Sequence, residues 1–198
     1  MEIIKINKIE LEVPSNWNEV SISNYYKLRD LSTDYLNNEA NWIPEKYILD
    51  YASILIGCEP SVLYNLELTN EDWLNINKII TNFQTQPIAE KFDVIKIDDR
   101  LYSYNNLNKM TAGEYVSVKL TLKKLPLEKQ LSYLMAILVR PCKKVWNEEF
   151  NYDQYIVDDF NEYNSDNEII EKRMDMYMNI PYTYALYIEE LFLNGKIR

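Results

Sequence analysis

An α+β fold, predominantly α-helical with two small β-hairpins, is predicted for this chain of 198 residues. Three observations predict it. Apolar residues recur at helical spacing between start and stop signals over most of the length. Two pairs of strand-like runs, β-branched at residues 3–6 with 9–13 and followed later by 92–97 with 101–104, each enclose a short turn. Apolar residues at 47% and charged residues at 26% match a globular chain rather than a disordered one.

The elements follow in order. Asn7-Lys8 is the two-residue turn of the first hairpin, and Pro14 stops its second strand. Ser21 or Ser23 caps a helix carrying Tyr25, Tyr26, Leu28 and Leu31. A polar stretch, Asp34 to Asn41, separates it from a helix with Pro44 in its first turn and Gly57 as a left-handed stop. Pro60-Ser61 opens a short helical turn through Leu66. Thr69 caps the next helix, with Glu71 and Asp72 in its first turn. Its stripe of Trp73, Ile76, Ile79, Ile80 and Phe83 reads as core rather than a cofactor slot. After Pro87 comes the second hairpin, turning at Asp98-Asp99-Arg100. Thr111 with Glu114 has capping-box spacing and starts a helix through Leu122. Leu125-Pro126 leads into the most apolar helix, Leu127 to Arg140, stopped by Pro141.

Beyond Pro141 the character changes. Glu148, Glu149, Asp153, Asp158, Asp159, Glu162, Asp166, Glu168 and Glu171 face only Lys143 and Lys144. Trp146, Phe150, Tyr152, Tyr155, Phe160 and Tyr163 are interleaved among them. The stretch reads first as a solvated, partly irregular connection, and second as a segment that docks a basic, grooved partner. Helices at 169–178 and 184–194 close the chain, with Gly195 as the stop. Two regions are therefore expected. Residues 1–141 form a helical core with both hairpins; residues 142–198 form the acidic, aromatic-rich segment and two helices packed on the same domain.

Composition weakens several function classes. There is no histidine, the usual general acid/base and commonest metal ligand near neutral pH, and there are only three glycines. No two glycines are close enough for a phosphate-cradling loop. No apolar run reaches the roughly 18 residues of a membrane helix, and no signal-peptide core precedes the first hairpin, so a soluble, cytoplasmic protein is expected. A net charge of −10 argues against a sequence-specific grip on nucleic acid, which needs clustered Lys and Arg. Cys58 and Cys142 are expected as buried free thiols. The 17 tyrosines fit AT-rich coding as well as an interaction surface.

Candidate sites are few. Asp98-Asp99 invites a metal, but Asp is also a favoured turn residue and no third ligand is adjacent. Glu148-Glu149 and Asp158-Asp159 are the carboxylate pairs any acidic segment contains. Glu90, Asp93 and Lys96 approach a histidine-free, metal-dependent nuclease set without its usual order and spacing. An acidic inhibitor that mimics DNA is a further alternative, weakened by the lysines mixed among the acids. No catalytic, cofactor-binding or metal-ligating residue is assigned, and no cofactor is expected.

Two stretches carry a resemblance. VPSNWNEVSISNYYKL (Val13 to Leu28), after a short hairpin, resembles the "hydrophobic–Pro–x–x–Trp–x–x–hydrophobic–Ser/Thr" opening of small tailed-bacteriophage proteins. These are tail assembly chaperone-like or tail- and portal-associated proteins, particularly of Bacteroidetes phages of the crAss-like group. LNKMTAGEYVSVKLTLKK (Leu107 to Lys124), leading into LSYLMAILVRP (Leu131 to Pro141), is similar to their helix pair ending in "Ala–hydrophobic–Leu–x–Arg–Pro". Together the stretches cover about a quarter of the chain. The resemblance implies a non-enzymatic protein of the virion or its assembly, located in the particle and in the host cytoplasm during assembly. Its implied partners are other phage structural proteins of tail, portal or capsid. Local roles come with it: Trp17 pins the hairpin to the helices, Gly113 permits close helix approach, and Arg140 caps a helix end.

Overall fold

A computed structural model describes residues 1–37, 43–104, 110, 112–147, 152–157 and 167–193. The fold is α+β and mainly α-helical. The chain forms two compact units: Met1–Ile88 with Ile180–Thr183, and Ala89–Asn179 with Tyr184–Arg198. Residue 141, where the two expected regions meet, lies inside a β-strand.

In the first unit, β1 (Glu2–Ile6) and β2 (Ile9–Val13) pair antiparallel through Ile6 and Ile9. Asn7 and Lys8 both take positive φ, at 47° and 67°, the backbone a two-residue hairpin turn demands. A 3₁₀ turn, Trp17–Glu19, leads to α1 (Ile22–Asn37), which runs into the stretch read as polar connection. Of the two candidate caps, Ser21 is the one used, its Oγ accepting from the Asn24 amide at 3.1 Å. Ser21 also forms a β-bridge with Pro181, so that proline sits in a bridge as well as before a helix.

Next come α2 (Pro44–Ile56), α3 (Pro60–Tyr64) and α4 (Asn70–Thr81). Pro44 occupies the first turn of α2, and Gly57 ends it in the left-handed region at φ 80°. The core joins Ile4, Ile6 and Val13 of the hairpin to Ala52 and Leu55 of α2 and Ile76 and Ile79 of α4. The α4 stripe read as core is therefore core.

Asp72 ties the hairpin to α4. Its carboxylate accepts from the Thr69 amide at 2.8 Å, the Asn7 amide at 2.7 Å and the Thr69 hydroxyl at 2.8 Å. Thr69 Oγ1 returns a bond from the Asp72 amide, completing a capping box. These donors, the Thr69 amide first, hold the carboxyl below its ordinary value. A depressed carboxyl stabilises the fold above the unfolded pKa, near 4, and that stability disappears as pH falls through the folded value. Melting curves of the protein and of Asp72→Asn between pH 7 and pH 2 should therefore converge on acidification. A constant gap between the two would mean that the Asp72 charge plays no part.

In the second unit, β3 (Ile95–Ile97), β4 (Arg100–Ser103), β5 (Arg140–Asn147) and β6 (Tyr152–Val157) form one antiparallel sheet in that order. The unit also holds α5 (Ala112–Leu122), α6 (Leu127–Leu138), α7 (Asn167–Tyr177) and most of α8 (Tyr182–Leu193), which begins in residues assigned to the first unit. The central hairpin is thus half of a larger sheet, and part of the expected irregular connection is strand. Helix α6 ends at Leu138, not Arg140, because the residue before a proline is pushed out of the helical region. Pro141 is a strand residue opposite Tyr102. Proline is tolerated at a strand position where no N–H is required of it.

The end of α6 is sealed. Residues Leu134 to Val139 are all buried, so the last carbonyls of the helix cannot all turn to water. Arg140, only 1% exposed, donates from Nε and Nη2 to the Ile137 carbonyl, both at 3.2 Å. Tyr177 of α7 donates its hydroxyl to the Val139 carbonyl at 2.8 Å. Gly113 stands exposed in the first turn of α5. The Thr111 cap and the Gly195 stop lie outside the described residues, and the Glu114 side chain of the capping box is likewise not described.

Candidate functional site

The residues singled out by sequence have different neighbours. Asp93 is exposed and lies 3.9 Å from Lys91, while Lys96 reaches Asp99 at 4.0 Å. Glu90 instead lies near Tyr184, whose hydroxyl is pushed above its usual value by burial first and by the Glu90 charge second. One Glu90 carboxylate oxygen, Oε2, is buried without a hydrogen-bond partner. Asp98 adopts φ 52° and with Asp99 forms a two-residue turn, since Ile97 already pairs with Arg100. Among the described residues, no three carboxylate or thiol side chains gather closely enough to hold a metal ion. Glu148-Glu149 and Asp158-Asp159 lie outside the described residues.

Cys58 and Cys142 are not joined in a disulfide; Cys142 is buried and Cys58 half-buried. Burial raises the Cys58 pKa, which keeps it protonated and a weak nucleophile.

A second-unit aromatic group needs separating from a binding site. Phe92 contacts Tyr104, Tyr184 and Tyr187 at centroid distances of 5.2, 5.1 and 6.1 Å. The Tyr104 and Tyr187 hydroxyls lie 3.3 Å apart. The rings fill one another's space in edge-to-face and tilted contacts, the geometry of a packed aromatic core.

Among the described residues, a cleft lies on the sheet. Its volume is about 640 Å³, and it is lined by Asp99, Arg100 and Leu101 on one side and Pro141, Cys142, Lys143 and Lys144 on the other. Register explains it. Among the described residues, strand β4 meets β5 through Leu101 with Cys142, Tyr102 with Pro141 and Ser103 with Arg140. Beyond Cys142, β5 runs on past the Asp98-Asp99 turn, paired with β6 as far as Asn147. There it is a two-stranded ribbon rather than part of a four-stranded sheet.

Side-chain exposure agrees. Lys143, Lys144 and Val145 are consecutive and all exposed, as is Ile156 of β6, so neither face of the ribbon is covered among the described residues. Lys96, Arg100, Lys143 and Lys144 collect here, in a chain with 31 acidic and only 21 basic residues. Sequence reasoning missed the cluster. Arg100 was a turn residue to it, and the two lysines were mere counter-charges to the acids beyond.

Among the described residues, no helix is long and apolar enough to cross a membrane. No family model matches the chain, and neither a curated protein nor a solved structure matches it.

Proposed function

We propose that the chain is a non-enzymatic bacteriophage protein of the virion or of its assembly, acting through contacts with other structural proteins of tail, portal or capsid. The observation that carries the contact part is the open ribbon at the end of β5 and β6, with Val145 and Ile156 in water at 42% and 53% exposure. A two-stranded ribbon is marginal alone, and apolar side chains on both strands favour a partner that covers them. The phage part rests on the resemblance in Val13–Leu28 and Leu107–Pro141. Within those stretches, Trp17 and Arg140 serve packing and capping rather than chemistry.

A packaged copy could leave the particle with the genome through a narrow channel, a route that favours modest stability. Mass spectrometry of purified particles beside infected-cell lysate tests the proposal. It expects the protein in particles, or in lysate bound to particle components. A protein found in neither form, or one that cleaves DNA with Mg²⁺ or Mn²⁺ and loses that activity in Asp93→Ala, would overturn it.

A further inference from the structure

We propose that the cleft beside β5 receives an extended, acidic segment of a partner protein, which adds as a strand alongside β5 and sets its carboxylates against Arg100 and Lys143. The proposal deepens the contact reading above and rests on it, because it names the chemistry of the partner. Two independent features of the cleft point the same way.

The first is backbone. Strand β4 begins at Arg100, while β5 continues to Asn147, so an incoming strand in line with β4 would meet the flank of β5 where the Asp98-Asp99 turn leaves it. Strand addition of this kind draws affinity from main-chain hydrogen bonds and specificity from side chains along the strand. The second is charge. Arg100 and Lys143 line the cleft, and among the described residues its acidic wall residue is Asp99, 4.0 Å from Lys96. Guanidinium and ammonium groups favour carboxylates through charge-assisted hydrogen bonds.

A nucleic-acid strand shares the negative charge but fits less well. Its affinity scales with the number of phosphates neutralised along a basic track, and this cleft offers a short one on a chain of net charge −10. It also has no amide groups to pair with β5.

The test uses the full chain and a fluorescein-labelled eight-residue peptide of alternating Glu and Thr, followed by anisotropy at low salt. Controls are the Lys-Thr counterpart, a Glu-Thr peptide N-methylated at alternate residues, and an eight-nucleotide oligo-dT. The acidic peptide should bind, and N-methylation should weaken it at least tenfold by removing strand pairing. Arg100→Glu with Lys143→Glu should weaken it by a similar factor. The milder Arg100→Gln/Lys143→Gln pair should cost about threefold with an unchanged far-UV spectrum, since both side chains are exposed.

Absence of acidic-peptide binding, indifference to N-methylation or charge reversal, or tighter binding of oligo-dT would each overturn the proposal. Failure here with the protein still found among particle components removes the cleft assignment alone. Success here, with the protein absent from particles and their intermediates, removes the phage assignment and leaves the cleft.

Discussion

Replacing Arg140 with alanine is expected to lower the stability of the protein by about 3 kcal/mol. The reason lies in the transition from α6 to β5. A helix that passes directly into a strand through buried residues leaves its terminal carbonyls no access to water, and each such group costs about 1–3 kcal/mol if it loses its donor. Arg140 supplies two N–H groups to the Ile137 carbonyl and fills a buried volume that alanine would empty. Lysine keeps the charge and most of the length but cannot present two fixed N–H vectors to one oxygen, so Arg140→Lys should fall between the two. Urea unfolding followed by circular dichroism measures the series. An alanine variant within about 0.5 kcal/mol of the parent would show that the carbonyl has another donor.

The second large effect is expected at Trp17. Its ring meets Phe83 and Tyr25 edge-to-face at 5.0 and 5.9 Å, and its indole N–H donates to the Thr85 carbonyl at 2.6 Å. One side chain thus joins the 3₁₀ turn after the hairpin to α1 and to the segment following α4. Trp17→Ala should cost about 3 kcal/mol, the lower end for large aromatic truncations because the ring is half-buried. Trp17→Phe keeps much of the packing and loses the hydrogen bond, so about 1 kcal/mol is expected. Equal losses in the two variants would place the effect in the hydrogen bond instead of the ring.

The parts of the fold legible in the sequence are those decided locally. Asn7-Lys8 specifies a two-residue turn, Pro44 and Gly57 bracket α2, and Thr69 with an acid in the next turn starts α4. Each signal lies within four residues of the structure it controls. Strands β5 and β6 were not legible, for a physical reason. A strand is recognised by alternation between a covered and an open face, and Lys143, Lys144 and Val145 have no covered face to alternate with. Pro141 added to this, because the same residue type ends helices and occupies strand positions where no N–H is required.

The cleft was hidden by the same rule. Its cations come from β3, from β4 and from β5, and only strand register brings Arg100 beside Lys143. Conversely, Glu90, Asp93 and Lys96 are close in sequence, yet each has a different neighbour: Tyr184, Lys91 and Asp99 in turn. Proximity in the chain overstated that cluster and understated the other.

Contact through the ribbon and its cleft is the claim on which the functional account stands, and photo-crosslinking inside infected cells tests it most directly. With a photoreactive benzoyl-phenylalanine in place of Val145, irradiation should yield a covalent adduct whose other half is an acidic segment of a phage structural protein. The adduct should weaken when Arg100 and Lys143 are reversed to glutamate. Adducts mapping to nucleic acid, or a protein adduct whose yield ignores that reversal, would contradict the account.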